Sequence, residues 1–165
     1  MFGIIDWDKK NNGNSKVSVL GLNQRYSLEN YIFDPIVLAN FLLREKILNN
    51  KYFELLEEEK HFNFPDFEIS KLQKITDKIV SDIYKEINPL SSEKTVVYYQ
   101  GGISLKVPTW YLHHQGHLLE ESIRRAYPEL NRFKQLKDQI MEKVIDDLPQ
   151  FISTDIFTLL RELHN

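Results

Sequence analysis

Apolar and polar residues alternate with two different periods along the chain, and each period predicts a type of element. Near the start, "FGIID" (2–6) predicts a buried strand, and "KVSVLGL" (16–22), with Val17 and Val19 two residues apart, predicts a second strand. The polar stretch "KKNNGNSK" between them carries Asn-Gly turn chemistry. Because the two strands are close in sequence, they can be neighbours in one sheet.

The rest of the chain is predicted to be mainly helical. Asp34 is a suitable N-cap for a helix with Pro35 in its first turn. An amphipathic helix is expected over 68–87, where isoleucine and leucine recur at helical spacing. The segment 95–107 predicts a β-hairpin, because a Gly-Gly turn separates two strand-like runs. Further helices are expected over 108–126, 128–147 and 151–163.

Composition and charge restrict the number of domains, the binding partners and the kinds of metal site that are expected. The 165 residues, 42% of them hydrophobic, are expected to form one domain, 1–165. The net charge of −3 provides no general attraction for nucleic acid, so any contact with DNA must be local or mediated by metal. The absence of cysteine excludes disulfides and thiolate metal sites. The apolar run 36–43 is too short to span a membrane, and a cytoplasmic protein is expected.

Asp6 ends the first predicted strand, and Asp8 lies two residues further along the chain. Side chains two residues apart lie on the same face of a strand, so the two carboxylates are expected to project together. Like charges this close repel each other unless they are solvated, share a proton or bind a cation. The pattern therefore leaves two interpretations: a divalent metal site, and an exposed strand end that continues into a polar loop.

The Asp-x-Asp strand end, the second strand and "RYSLENYIFDP" (25–35) resemble the later part of a Toprim domain. More narrowly, they are similar to the Toprim-like domain that ends ATP-binding proteins of the overcoming-lysogenisation-defect (OLD) nuclease type. The likeness covers roughly residues 2–40, and the segment 107–123 is more weakly similar to a distal segment in which a basic residue commonly lies near the site. The expected fold is α/β, with a small partial Toprim-like sheet in segment 1–40 and a mainly helical remainder, 41–165, that contains the hairpin.

This resemblance implies that Asp6, Asp8 and Glu29 hold Mg²⁺ or Mn²⁺ for phosphodiester cleavage of DNA. Mg²⁺ is usually held by one or two carboxylates together with water and substrate phosphate. Arg25 and Asn30 are weaker candidates for contacts with substrate phosphate; the alternatives are a solvated arginine and an asparagine that caps a helix. The alternative for Glu29 is an acid in the first turn of a helix, where the helix dipole favours it.

Three histidines, His113, His114 and His117, lie in the distal segment. His113 and His117 are four residues apart and would share a helix face with Glu120 or Glu121, but the order lacks the His-Glu-x-x-His pattern of zinc sites. His117 could instead act over the acidic site as a proton donor or phosphate contact, which makes it a candidate catalytic residue. The third alternative is a group of ordinary half-buried histidines.

A complete Toprim domain has an earlier strand that carries a glutamate, and the sequence before the Asp-x-Asp strand does not contain one. The chain is therefore a fragment, a short protein completed by a partner, or a relic that no longer cleaves, and we expect it not to cleave DNA efficiently alone. It has no Gly-x-x-x-x-Gly-Lys loop, so the ATPase that the resemblance implies would be a separate segment or partner.

Two functions remain open at the sequence level. The first is the metal-binding part of an ATPase-associated nuclease in DNA processing or phage defence. The second is a non-catalytic interaction module. Because two strands without further neighbours leave an open sheet edge, a homodimer or a bound partner protein is expected.

Overall fold

A computed structural model describes residues 3–14 and 17–156 and shows a mixed α/β fold in which helices predominate, as expected. The strands are β1 (Gly3–Asp6), β2 (Val17–Leu20), β3 (Lys94–Tyr98) and β4 (Ser104–Pro108). The α-helices are α1 (Glu29–Ile32), α2 (Pro35–Arg44), α3 (Asn50–Phe53), α4 (Ile69–Ile87), α5 (Thr109–Leu112), α6 (Gly116–Ala126) and α7 (Leu136–Ile140). A π-helical turn, Met141–Ile145, continues α7, and short 3₁₀ helices occupy His61–Asp66, Pro128–Arg132 and Pro149–Phe151.

The strands form two separate pairs in the described part of the chain. β1 and β2 pair in parallel, with Gly3 opposite Val17. The prediction that the first two strands are neighbours in one sheet is therefore confirmed. β3 and β4 pair in antiparallel fashion and confirm the hairpin expected over 95–107. Gly102 lies in the turn with φ of 78°, a conformation that glycine adopts at little cost.

The prediction that β1 is a buried strand is wrong. Ile4 and Ile5 are 47% and 40% exposed, respectively. Consecutive strand residues point to opposite faces, so solvent reaches both faces of β1. The apolar pattern marks a strand that would be buried between two layers, whereas β1 has only β2 as a strand neighbour in the described chain.

Helix α2 lies at the centre of the protein. The Asp34 carboxylate accepts a hydrogen bond from the Ile36 amide at 3.2 Å, and Pro35 occupies the first turn, so the predicted cap is confirmed. Every residue from Pro35 to Leu43 is buried. A mainly apolar helix that is buried on all sides is stable only when other elements surround it, which explains why the later helices pack around α2.

The main partner of α2 is α4, which confirms the amphipathic helix expected over 68–87. Its apolar stripe, Leu72, Ile75, Ile79 and Ile83, is almost completely buried. The opposite face of α4 is polar and exposed. The apolar cluster extends from α2 and α4 to the hairpin, to α6 and to Phe151, and it holds the elements that carry the candidate site in fixed positions.

The single helices expected over 108–126 and 128–147 are broken in the structure. α5 and α6 are separated at residues 113–115, because the side-chain amide of Asn30 donates hydrogen bonds to the carbonyls of Tyr111 and His114, close to the break. The second segment contains a 3₁₀ helix, α7 and the π-helical turn. Most of the helix expected over 151–163 lies outside the described residues. No helix in the described ranges is long and apolar enough to cross a membrane.

Candidate metal centre

One pocket of about 210 Å³ brings together four of the predicted site residues. Asp6, Asp8, Glu29 and His117 all line it, although they come from three distant parts of the chain. The remaining lining residues are Tyr26, Ser27, Gln115 and Gly116. The pocket, called the acidic pocket below, therefore lies between the end of β1, the start of α1 and the start of α6.

The end of β1 supplies Asp6, and the following turn supplies Asp8. The Asp6 Oδ1 accepts a hydrogen bond from the Leu28 amide at 3.0 Å, which fixes this carboxylate against the segment before α1. Asp8 lies beyond the strand with φ of 48°, and its amide donates to the Tyr26 carbonyl at 2.9 Å. The two carboxylates thus share the acidic pocket because of a left-handed turn, and not because of strand alternation as the sequence suggested.

The surroundings of Asp6 disfavour its charged form. Partial burial raises the pKa of the Asp6 carboxyl above its ordinary value, and the Leu28 amide only partly opposes this. The negative charges of Glu29 and Asp8 raise the pKa of Asp6 further. A cation bound between these carboxylates would relieve this repulsion.

Glu29 is already engaged at both carboxylate oxygens. Its Oε1 accepts a hydrogen bond from the Lys137 ammonium at 2.9 Å, and its Oε2 accepts one from the Ser27 hydroxyl at 2.8 Å. Burial alone would raise the pKa of Glu29, but the hydrogen bonds from Lys137 and Ser27 lower it below its ordinary value. The hydrogen bond to Glu29 in turn raises the pKa of Lys137. This ion pair holds Glu29 charged at the wall of the acidic pocket.

Gly116 lets α6 approach this wall closely. A Cβ atom at Gly116 would lie 2.5 Å from the Ser27 hydroxyl and 2.8 Å from the Glu29 Cβ, which is too close for any larger residue without movement. The N-terminal end of α6 therefore meets the acidic pocket. Because the first amides of a helix carry partial positive charge, this end favours negatively charged groups nearby.

Arg25 and Asn30 do not line the acidic pocket. Arg25 is 1% exposed, forms an ion pair with Asp34 at 2.6 Å and lies 4.7 Å from the centre of the Tyr31 ring. The expected contact with substrate phosphate is therefore corrected: its guanidinium is enclosed in the core. Asn30 is also buried, and its side-chain oxygen accepts a hydrogen bond from the Ser27 amide at 3.0 Å. Asn30 therefore does not face a phosphate site; its side chain holds the turn before α1 and the carbonyls near the start of α6.

The three histidines have different surroundings. His113 packs edge-on against Trp7, with 5.1 Å between ring centres. Burial and the charge of Lys9 lower the pKa of both His113 and His114. His117 is exposed and lines the acidic pocket. The break between α5 and α6 removes the single helix that a zinc site on His113 and His117 would need.

The donor set of the acidic pocket fits a hard divalent cation only in part. Among residues 3–14 and 17–156, no group of three or more Asp, Glu, His or Cys side chains is positioned to hold a metal ion. Asp6 and Asp8 remain as two carboxylates, which is the number that Mg²⁺ usually takes from a protein. The Glu29 carboxylate is engaged by Lys137 and Ser27, so these two groups compete with a cation for it. Of the three predicted ligands, Asp6 and Asp8 are therefore available to a cation, whereas Glu29 is already paired with Lys137.

No sequence pattern indicates a role for Lys137, which lies in α7 beside the acidic pocket. The resemblance implies a basic residue in the distal segment 107–123, but Lys137 lies beyond that segment. Only the packing of α7 against α1 brings it to Glu29.

No family model, curated protein or solved structure matches this chain. The likeness to Toprim domains therefore stays a prediction from the motif at residues 2–40. The fold and the acidic pocket define a mixed α/β protein with a small carboxylate-lined cleft at a helix N-terminus.

Proposed function

We propose that this chain is the divalent-metal-binding part of a Toprim-like nuclease and that it is incomplete by itself. The observation that supports the proposal is the meeting of Asp6, Asp8, Glu29 and His117 in one pocket at the start of α6. Sequence motifs alone point to these four residues. Their convergence is what a common chemical role would require.

In this proposal Asp6 and Asp8 hold Mg²⁺ or Mn²⁺. When bound, such a cation activates water and neutralises the negative charge that develops in phosphodiester hydrolysis. The N-terminal end of α6 attracts the substrate phosphate. His117, exposed at the rim of the acidic pocket, contacts the phosphate or donates a proton to the leaving group. In the absence of a cation, Lys137 keeps the Glu29 carboxylate charged and fixed in position.

The site formed by residues 1–165 is incomplete because Glu29 is engaged by Lys137 and because these residues do not supply the earlier glutamate that the resemblance implies. Removing one member of a preorganised site commonly costs about 10²-fold or more in rate. We therefore infer that efficient cleavage of DNA requires a further segment or a partner protein. The ATPase partner and the role in phage defence rest on the resemblance alone.

A non-catalytic interaction module is the second candidate, and the exposure of β1 favours it. Ile4 and Ile5 present apolar surface on both faces of the strand. Edge strands of this kind pair readily with other chains. In this alternative the acidic pocket is a polar cleft without a bound metal, and Glu29 is a structural residue paired with Lys137.

Calorimetric titration with Mn²⁺ tests the first proposal. The comparison uses the native chain, an Asp6→Asn, Asp8→Asn double variant and a Glu57→Gln, Glu58→Gln control that removes the same charge from an exposed acidic run. We expect binding heats from the native chain and the control, and none from the aspartate variant. Equal heats from all three proteins would contradict the proposal. Absence of heat from all three, together with self-association in light scattering, would favour the interaction module.

A further inference from the structure

A second pocket, of about 660 Å³, lies at the C-terminal end of α2 and has the opposite character to the acidic pocket. Arg44, Lys46, Lys60 and His61 line it, and none of its lining residues is acidic. Its apolar surface comes from Leu43, Leu48 and Phe62. In a protein of net charge −3, such a cluster of basic side chains around an apolar floor is a local feature with its own preference for ligands. It is called the basic pocket below.

Lys46 and Lys60 supply the positive charge of the basic pocket that is not already paired with a carboxylate. Arg44 is partly neutralised, because its guanidinium forms an ion pair with Asp147 at 2.6 Å. Within the described residues, Lys46 and Lys60 form no ion pair, and the Lys60 ammonium donates only to the Glu57 carbonyl, at 2.6 Å. Two positive charges therefore face the basic pocket without a carboxylate partner, and an anionic ligand would complement them.

Phe62 adds a flat apolar surface to these charges. Its side chain is 60% exposed and meets His61 edge-on, with 5.3 Å between ring centres. An exposed phenylalanine ring beside two lysines suits a ligand that combines an aromatic face with an anionic group. A nucleotide has this combination, since its base stacks on aromatic side chains and its phosphate pairs with lysine.

The basic pocket and the acidic pocket are connected through one helical segment. Lys137, in α7, donates to Glu29 of the acidic pocket. Six residues further along, the carbonyl of Lys143, in the π-helical turn, accepts a hydrogen bond from Arg44 of the basic pocket. The segment that contains α7 and the π-helical turn therefore contacts a residue of each pocket.

We propose that the basic pocket binds a nucleotide unit of a single-stranded nucleic acid, with phosphates on Lys46 and Lys60 and a base against Phe62. This inference names the substrate class of the proposed nuclease and rests on that function for its biological role. The binding step itself needs no metal, because none of its groups belongs to the acidic pocket.

Fluorescence anisotropy with a labelled oligothymidylate in EDTA tests the inference. We expect Phe62→Ala to weaken binding about tenfold, in line with the loss of one stacked base. We expect the double variant Lys46→Glu, Lys60→Glu to weaken binding at least as much at low salt. In a plot of the logarithm of the binding constant against the logarithm of the salt concentration, the slope should become shallower by about 0.7 for each phosphate contact that is lost.

Matched controls separate this site from general charge and apolar effects. Tyr98→Ala removes an aromatic ring that is 62% exposed on the hairpin, and Lys74→Glu, Lys106→Glu reverses two exposed lysines elsewhere. Circular dichroism of each variant verifies its fold. The inference is overturned if the controls weaken binding as much as the pocket variants do, or if the native chain does not bind the strand. It is also overturned if thymidine monophosphate binds as tightly as the strand.

The metal proposal can fail separately. The Asp6→Asn, Asp8→Asn variant should retain strand binding in EDTA, since it leaves the basic pocket unchanged. If Mn²⁺ does not bind the native chain while strand binding depends on Phe62, only the proposed function is lost. If Mn²⁺ binds but the strand does not, only the inference about the basic pocket is lost.

Discussion

The Lys137 ammonium lies 2.9 Å from the Glu29 carboxylate, although 108 residues separate them in the chain. The ion pair is partly exposed, since the Lys137 side chain is 36% and the Glu29 side chain 17% exposed. The contact ties α7 to α1 and occupies the third carboxylate of the acidic pocket. A divalent cation and Lys137 therefore compete for Glu29.

Replacing Lys137 should strengthen metal binding. In Lys137→Met the Glu29 carboxylate is released toward the acidic pocket, and we expect Mn²⁺ affinity to rise by up to about fivefold, since a partly exposed ion pair contributes up to about 1 kcal/mol. Calorimetry measures the change. The control is Lys143→Met, which breaks a similar ion pair with Glu45 at 2.8 Å outside the acidic pocket. Unchanged affinity in Lys137→Met would mean that Glu29 takes no part in binding.

A methyl group at Gly116 should destabilise the protein, although alanine is the better helix former. Alanine gains up to about 1 kcal/mol in a helix interior, and less at a first helical position. The new Cβ would meet the Ser27 hydroxyl and the Glu29 Cβ, and such overpacking costs about 1–3 kcal/mol. We expect Gly116→Ala to lower the free energy of unfolding in urea. Leu118→Ala, at an exposed position two residues later, should have a much smaller effect.

Asp82 should contribute to stability at neutral pH but not in acid. Burial alone would raise the pKa of Asp82, but hydrogen bonds from Lys85, Tyr52 and Tyr127 lower it below 3.8. A carboxylate whose pKa is lower in the folded state than in the unfolded state stabilises the folded protein. This stabilisation is fully present when the pH is above the unfolded-state pKa, near 3.8, and it is lost as the pH falls through the folded-state pKa.

The test is thermal unfolding of Asp82→Asn from neutral to acidic pH. We expect a loss of about 1–3 kcal/mol at pH 7, because hydrogen bonds to a charged group disappear, and a much smaller difference in acid. Asp66→Asn, at an exposed carboxylate, serves as the control. A difference that stays constant across the whole pH range would show that Asp82 acts by packing and not by charge.

Elements that depend on neighbouring residues were predictable from the sequence. Asp34 and Pro35 predict the start of α2 correctly, because an N-cap and a first-turn proline act within one helical turn. The helix at 68–87 and the hairpin at 95–107 are also correct, since apolar periodicity and a Gly-Gly turn are local signals.

Features that depend on long-range packing were not predictable. The break between α5 and α6 follows from hydrogen bonds of Asn30 to carbonyls about 80 residues later. Arg25 carries no sequence sign of its partner Asp34 or of its burial. Lys137 reaches the acidic pocket only because α7 packs against α1. The Asp-x-Asp spacing correctly predicts that Asp6 and Asp8 share one site, but it does not indicate the left-handed turn at Asp8 that brings them together.

The central claim is that the acidic pocket holds a divalent cation, and nuclear magnetic resonance with Mn²⁺ tests it most directly. Paramagnetic Mn²⁺ broadens the amide signals of residues close to its binding site. We predict selective broadening of Asp6, Ser27 and Gly116, which lie in three distant segments and line one pocket, and loss of this broadening in Asp6→Asn, Asp8→Asn. Broadening centred instead on the acidic run at 57–59, or no selective broadening at all, would contradict the claim.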